Sequence, residues 1–554
     1  MVTTPRHTWP SPLPRSLAYP AVPAGLLLRG AARRYTNRIA LRHGDTQLSY
    51  IELWRRACAF GHALQQRGVG AGDTVALHMP NCAEFAVAYY GTLLAGATFS
   101  PTNPLLPTEQ LRTQLDDCAA KVVVTHELGA DTLASLGDAA AQRVVVHVGA
   151  DPRAHAIPFP DFQGDPVDAP PIVALDLDTA LAHISYTGGT TGRSKGVRLR
   201  HANVVANVLQ FACWNHGAVP VVDDAGDVVL DQIGGAEDWP IRLGTGVVIN
   251  LTPWFHAMGC VGSLTVPLLA GVTIVLHDRF RADTYLADAD RHRVTSISGA
   301  PALFAALLES PELHRRDLSS VWSLSSGAGP LPPQHIEALT RRFPHATLCE
   351  GYGLTEATMG VTLNPTARSS VRKPGTVGLP CFDTEIKLVD PDTGTLCAPG
   401  QPGEVWVRGP QVMAGYHKRD DETRETLREG WLRTGDIGTV DPEGYLAIVD
   451  RVKDMLIYKG YNVYPRELEE LLLAQSGVRA AAVIGRPDAT VGEVPVALVV
   501  PAGPALDTET VLREVNAQLL PYKRLREIHL IDHIPVSAAG KILKRELRQH
   551  LLTL

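Results

Sequence analysis

Tyr186-Thr-Gly-Gly-Thr-Thr-Gly-Arg-Ser-Lys-Gly-Val197 is the stretch from which this chain is best read. A strand, His183–Tyr186, runs into it. Its glycines let the backbone bend so that successive N–H groups point into one concavity. Thr187, Thr190 and Thr191 add hydroxyl donors, and Lys195 adds a positive charge. The combination suits a polyphosphate. It is not a Walker A loop, because no Gly-Lys-Ser/Thr follows at the required spacing. A flexible surface loop is the bland alternative, and Gly, Thr and Lys this dense directly after a strand argue against it.

Outward from that loop, short apolar runs alternate with helical patterns. Asp73–Met79, Lys121–Thr125 and Arg143–Val148 read as strands, and Ala83–Leu94 as a helix. Such alternation predicts α/β layers with largely parallel sheets. From about Pro374 the texture changes. Glu385–Asp390 and Gly403–Arg408 alternate with period two across the turn-rich 391–400, which predicts antiparallel sheet. A second shift comes near Asp450-Arg-Val-Lys-Asp454. Beyond it the pattern predicts a helix over 465–475, strands over 480–484 and 494–500, a helix over 508–520 and a closing strand. About 100 residues of this kind suffice for a separate small α+β domain. Gly217–Gly246, rich in Asp and Gly, shows no clear period and reads as a surface excursion.

Three further stretches carry polar chemistry. In Glu350-Gly-Tyr-Gly-Leu-Thr-Glu356, Tyr352 offers a ring to stack on a base, Thr355 a hydroxyl, and Glu356 a hard oxygen ligand for Mg²⁺. Thr434-Gly-Asp436 places a carboxylate where both hydroxyls of a ribose can donate to it. Pro535-Val-Ser-Ala-Ala-Gly-Lys541 ends on a lysine that a mobile loop can carry into a distant cleft. Taken singly, each has an ordinary reading: a common turn, an Asx turn, a solvated lysine.

Composition bounds the rest. The chain has 554 residues, 45% hydrophobic and 20% charged, with a formal net charge of −7. That length suggests two to four folding units. No basic excess points to nucleic acid. The eight cysteines form no CxxC pair and no zinc-ligand spacing, which fits a reducing cytoplasm. The most apolar stretch, Leu264–Leu276, is too short to cross a bilayer and reads as core. The first 44 residues lack Asp and Glu, as a transit peptide would. However, the helical pattern over Gly25–Tyr35 runs straight into globular sequence. Residues 1–20, rich in proline, read as an extended N-terminal arm. The end, Leu551-Leu-Thr-Leu554, carries no peroxisomal address.

The four stretches occur in one order with wide spacing, and together with Arg451-Val-Lys-Asp454 they resemble the adenylate-forming superfamily. That group contains acyl- and aryl-CoA synthetases, luciferases and peptide-synthetase adenylation domains. The resemblance covers roughly residues 25–548. Bacterial fatty-acid CoA ligases are the most similar, through Lys373-Pro-Gly-Thr-Val-Gly-Leu-Pro380, Gly409–Met413 and Lys459-Gly-Tyr-Asn-Val-Tyr-Pro465. Gly188 and Ser194 stand where many members have Ser and Pro. The chain stops shortly after Lys541, where peptide-synthetase modules continue into a carrier domain, so a free-standing ligase is expected.

The resemblance implies a fold: a large N-terminal domain of layered α/β sheets and helices over 21–450, with a small β-barrel-like subdomain. It also implies a small mobile α+β C-terminal domain over 451–554, turning about Lys453. Roles follow by the same likeness. Thr187, Gly189, Thr190, Thr191 and Lys195 are expected on the β- and γ-phosphates. Gly327, Ala328, Gly329 and Tyr352 are expected at the adenine. Thr355 should touch the α-phosphate, Glu356 bind Mg²⁺, and Asp436 and Arg451 hold the ribose. His256, in Pro253-Trp-Phe-His-Ala-Met-Gly259, should border the acyl pocket. Lys541 should serve adenylation, and Lys459, Gly460 and Tyr461 the later step near the pantetheine.

The implied activity is an ATP-dependent acyl-CoA synthetase with ATP, Mg²⁺ and coenzyme A as cofactors. Its partner is a small, apolar carboxylic acid; a homodimer and a cytoplasmic location are compatible with it. A ligase loading a free-standing acyl carrier protein is the first rival. A non-catalytic ATP- or acyl-adenylate-binding protein is the second, and it would need a broken catalytic set, which is not seen. Trp254, Phe255, Met258, Val261, Ile297, Phe304, Met359 and Val361 are candidates for an apolar pocket, although ordinary core packing fits most of them equally well.

Overall fold

The computed structural model describes residues 5, 8–150, 155–187, 194–327, 329, 331–459, 461–488, 490–503, 506–536 and 542–551. Two large sheets organise the N-terminal domain. The first has eight strands, ordered Gly415–Tyr416, Lys195–Arg200, Leu181–Thr187, Thr98–Thr102, Thr74–His78, Ala120–His126, Val144–Val148 and Ile157–Pro158. Its central pairs run parallel, with Val75 opposite Phe99 and Val122. All five residues of Thr74–His78 are buried, as a strand covered on both faces requires.

The second sheet has nine strands and runs from Leu379–Pro380 at one edge to Thr46–Ser49 at the other. Between them, Ser323–Ser326 lies parallel to both Ser296–Gly299 and Thr347–Tyr352. Helices Tyr50–Gln66, Ala83–Leu94 and His201–His216 pack into an apolar cluster shared by both sheets. That cluster joins Val75 and Leu77 of the first sheet to Ile274 and Leu276 of the second, through Phe60, Phe85 and Val208. Helix Tyr50–Gln66 starts where Ser49 and Glu52 close a capping box.

A third, five-stranded antiparallel sheet contains Glu385–Val389, Gly403–Arg408, Trp431–Val440, Leu427–Arg428 and Leu446–Arg451. The smaller C-terminal α+β domain follows. Strands Leu456–Tyr458, Tyr461–Val463, Val478–Asp488, Gly492–Pro501 and Glu527–Leu530 carry helices Pro465–Leu473, Thr508–Ala517 and Lys544–Leu551. It has a core of its own, built on Leu468, Leu472, Val483, Val499 and Val515.

One sequence expectation is corrected. Gly217–Gly246 is not an irregular excursion: Ala218–Val222 pairs antiparallel with Val228–Gln232. The hairpin is pinned by buried Asp227, which accepts from Arg29 and Arg33, and by buried Trp239, whose indole donates to the Trp214 carbonyl at 3.2 Å. Asp223–Asp227 is the turn, and its flanking strands, Ala218-Val-Pro-Val-Val222 and Val228-Val-Leu-Asp-Gln232, show no period-two alternation. Of the candidate pocket residues, Trp254, Val261, Ile297, Phe304 and Val361 are fully buried core, leaving Phe255, Met258 and Met359 partly exposed.

The described part of the N-terminal arm is a packed strap. Trp9 sets its ring edge-on to Trp214 and Phe382, at 5.0 and 5.5 Å. The Leu17 N–H and the Tyr19 hydroxyl both donate to Asp383 Oδ2, at 3.0 and 2.6 Å. No helix among the described residues is long and apolar enough to cross a membrane.

Candidate active site

The phosphate-loop motif begins and ends on paired strands. Thr187 lies opposite Lys195 in an antiparallel register, and the Ser194 hydroxyl donates to the Thr187 carbonyl at 2.6 Å. The two ends of the loop are therefore held together. Gly189, Thr190 and Thr191 lie outside the described residues. Tyr186 anchors the strand from below by donating to Asp117 Oδ2 at 2.6 Å.

The second motif closes strand Thr347–Tyr352 and turns into a single 3₁₀ turn, Thr355–Ala357. A Cβ on Gly353 would sit 1.8 Å from the Met359 carbonyl, so only glycine lets the chain double back here. Tyr352 then reaches the third motif, its hydroxyl donating to Asp436 Oδ2 at 2.5 Å. Burial and the Asp436 carboxylate both push the Tyr352 phenol well above its ordinary pKa, so it remains a donor. Asp436 also pairs with Arg451 Nε at 3.1 Å. The two are direct cross-strand partners, and Thr434 Oγ1 accepts the Asp436 N–H at 3.1 Å. Thr355 stands partly exposed at the start of the turn.

Glu356 faces the first motif. Its Oε1 accepts the Tyr416 hydroxyl at 3.0 Å, and Lys195 Nζ lies 5.0 Å from the centre of the Tyr416 ring. A cavity of about 290 Å³ is lined by Glu356, Tyr416, Thr434 and Gly435, with Glu404, Glu425 and Arg433 around it. Among the described residues, no three His, Cys, Asp or Glu side chains converge as a metal cage. A single carboxylate beside a phosphate loop fits Mg²⁺, which is usually bound by one or two carboxylates plus substrate phosphates and keeps several waters.

His256 lies just before a π-helical segment, Met258–Thr265, and its ring is 4.8 Å from that of Phe255. Such wide turns cluster at functional sites. The segment packs tightly: a Cβ on Gly259 would sit 1.9 Å from the Pro253 carbonyl. Met258 reaches the end of strand Ser323–Ser326, its Cε 3.1 Å from where a Gly327 Cβ would stand. Met359 lies 3.4 Å from the corresponding point on Gly262. Gly329 is exposed and Ala328 lies outside the described residues. Beneath them Glu350 is buried, its Oε1 accepting the Leu331 N–H at 3.0 Å, and burial raises its pKa.

The remaining expected residues belong to the C-terminal region. Lys453 is exposed in the turn that follows Arg451, and the neighbouring Val452 N–H donates to the Gly435 carbonyl at 2.9 Å. Lys459 has a positive φ of 51° and donates its N–H to Val491. Tyr461 stacks on Tyr522 with ring centres 4.7 Å apart. Lys459 and Tyr461 thus make these contacts within the C-terminal domain, not with Glu356 or Asp436. Gly460 and Lys541 lie outside the described residues.

Sequence reasoning missed Tyr416, whose only local signal is the Gly415-Tyr416 pair. It also missed Arg466, which ties the C-terminal domain to the third sheet through its N–H to Asp450 Oδ2 at 3.0 Å and its Nη1 to the Ile448 carbonyl at 2.6 Å.

The chain as a whole is similar to known proteins. The AMP-binding enzyme family matches residues 28–417, and the AMP-binding enzyme C-terminal domain matches residues 467–541. A long-chain-fatty-acid–CoA ligase of Bacillus subtilis is 32% identical, over 97% of this chain and 96% of that protein. A 4-coumarate–CoA ligase 2 of Oryza sativa subsp. japonica is 35% identical, over 97% and 91%. Among solved structures, ATP-bound MatB from Rhodopseudomonas palustris superposes with a TM-score of 0.82 at 30% identity, over 96% of this chain and 99% of that one.

The chain belongs to the AMP-binding enzyme family, the adenylate-forming superfamily anticipated from its motifs. Within that family it is an AMP-forming acid–thiol ligase of the acyl-CoA synthetase type, with ATP and coenzyme A as substrates and Mg²⁺ as the usual metal.

Proposed function

We propose that this ligase activates a carboxylic acid with an apolar body, first as acyl-AMP and then as acyl-CoA. The observation that carries this reading is the junction of Met258 with Gly327 and of Met359 with Gly262. Each contact sets a methionine side chain against a glycine, one on the π-helical segment after His256 and one at the end of strand Ser323–Ser326, and Phe255 beside His256 is partly exposed. The relatives' names, a long-chain fatty acid in one and 4-coumarate in another, share an apolar body and a carboxylate.

In the proposed first step, a carboxylate oxygen attacks the α-phosphorus and the bond to pyrophosphate breaks. Negative charge gathers between two anions, so preorganised cations and donors set the rate. Lys195 and the Thr187–Thr191 loop hold the β- and γ-phosphates, and Thr355 touches the α-phosphate. Glu356 would hold the divalent cation, which when bound neutralises phosphate charge. Asp436, which accepts from Tyr352, holds the ribose together with Arg451, while Gly327, Ala328 and Gly329 serve the adenine with Tyr352. Lys541 bridges carboxylate and α-phosphate. His256 borders the acyl group.

In the second step the coenzyme A sulfur attacks the acyl carbonyl carbon and AMP departs. The C-terminal domain turns about Lys453, withdrawing Lys541 and presenting Lys459, Gly460 and Tyr461, a staged assembly of one site. The reaction takes place in the cytoplasm.

A pyrophosphate-release screen over fatty, aryl and polycyclic acids tests the substrate class. Turnover of acetate or free amino acids, with none of larger apolar acids, would contradict it. Thioester formation with coenzyme A, but not with a phosphopantetheinylated carrier protein, separates this reading from the carrier-loading one.

A further inference from the structure

The short segment 413–417 touches both halves of the proposed phosphate site. On one side it extends the first sheet: Gly415 and Tyr416 pair with Arg198 and Val197. The Ala414 N–H donates to the Arg198 carbonyl and the His417 N–H to the Gly196 carbonyl, at 2.9 and 2.7 Å. Lys195 is the residue directly before Gly196. On the other side, the Met413 N–H donates to the Glu356 carbonyl at 2.9 Å, and the Tyr416 hydroxyl donates to the Glu356 carboxylate at 3.0 Å. Glu356 is thus gripped by backbone and side chain from one strap, and the same ring lies beneath Lys195 Nζ at 5.0 Å. Tyr416 itself is 6% exposed, and its N–H donates to Thr423 Oγ1 at 2.9 Å.

We propose that Tyr416 is a positioning residue that couples the phosphate-loop lysine to the metal-binding carboxylate. Its hydroxyl fixes which oxygen of Glu356 is turned to the cation, and its ring holds the Lys195 ammonium over a π face. Groups that orient a ligand from behind typically change metal affinity or activity by about 10- to 100-fold. The inference rests on Glu356 and Lys195 having the roles proposed above.

Two substitutions separate the halves of Tyr416. Tyr416→Phe removes the hydroxyl and keeps the ring. It should raise the Mn²⁺ dissociation constant by about 10-fold, read by electron paramagnetic resonance with a non-hydrolysable ATP analogue. It should raise half-saturating Mg²⁺ in pyrophosphate release equally, and leave KM for ATP at saturating Mg²⁺ near wild type. Tyr416→Leu should add a rise in that KM of about 3-fold, from loss of the cation–π contact. Thioester formation from supplied acyl-adenylate should be spared in both. Glu356→Gln and Lys195→Ala are the controls. If those controls shift Mn²⁺ binding and KM while Tyr416→Phe leaves the Mn²⁺ dissociation constant and half-saturating Mg²⁺ at wild type, the positioning role is overturned and the site assignment stands. If the controls shift nothing either, the site assignment itself has failed.

Discussion

Tyr352 and Asp436 stand 84 residues apart in the chain, yet the Tyr352 hydroxyl donates to Asp436 Oδ2 at 2.5 Å. The bond joins the end of a parallel strand to the middle of the antiparallel third sheet, and it sets the carboxylate that is proposed to receive the ribose. Asp436 keeps Arg451 as a second partner on its other oxygen.

Tyr352→Phe should therefore weaken nucleotide binding without unfolding the site. Hydrogen bonds to charged groups contribute about 1.5–3 kcal/mol, and part of that is regained by water. The expected outcome is a rise in KM for ATP of about 10-fold, with a smaller change in kcat. Steady-state kinetics across ATP concentrations check it, and an unchanged KM would remove Tyr352 from the ribose side of the site.

Glu356→Gln should slow adenylation far more than it alters the fold. It replaces a charged oxygen ligand by a neutral amide in a polar cavity, while Tyr416 can still donate to the amide oxygen. Single-turnover pyrophosphate release at limiting Mg²⁺ is the measurement, with thermal unfolding as the companion. A variant as fast as wild type under those conditions excludes Glu356 as the ligand.

The two half-reactions should separate at Lys541 and Lys453. Lys541→Ala should lose adenylation by about 10²–10³-fold, as when one preorganised charge-stabilising donor is removed, and still form thioester from supplied acyl-adenylate. Lys453→Pro should do the reverse, because proline locks φ and restricts the preceding residue. Pyrophosphate release without coenzyme A, and thioester formation from adenylate, are read for each. Equal loss of both activities in two folded variants would rule out domain rotation while leaving the ligase assignment intact.

Acid should destabilise the N-terminal domain through three buried histidines. Burial lowers His183 to about 3 and His78 and His201 to about 4, from a free value of 6.5. The folded proton affinity is depressed, so as pH falls below the free value the unfolded chain takes up protons first. The stability contribution is complete above about 6.5 and is lost progressively toward the folded values. One pH unit below the free value, each histidine costs about 1.4 kcal/mol. Urea unfolding at neutral pH and one unit below the free histidine value measures the slope. His183→Gln should flatten it by about 1.4 kcal/mol, and an unaltered slope would assign the acid sensitivity elsewhere.

Much of the fold was legible because local patterning carried it. Ala83–Leu94 and Gly403–Arg408 occupy the bounds read from the sequence, the helix because its largely apolar run is too long for a buried strand and the strand because it is short and bounded by turn residues. The hairpin over 218–232 was not legible. Its stabilising partners, Arg29, Arg33 and Trp214, come from other elements, and no local pattern announces an ion pair formed across the sequence.

For the site the same division holds. The sequence by itself determined which groups are present: a Gly-Thr-Lys loop, a Tyr-Gly-Leu-Thr-Glu turn, a Thr-Gly-Asp turn, and their order along the chain. Those depend on backbone freedom and side-chain chemistry, which are local properties. Tertiary structure alone decided their meeting. Tyr352 finds Asp436, Tyr416 reaches Glu356 and lies under Lys195, because two sheets and a third converge at one cavity. It also decided which apolar residues are core and which remain partly exposed. Trp254 and Met258 are four residues apart in one apolar stretch, yet Trp254 is fully buried and Met258 lies against Gly327. Burial depends on what packs from across the fold, so it is written in no window of the sequence.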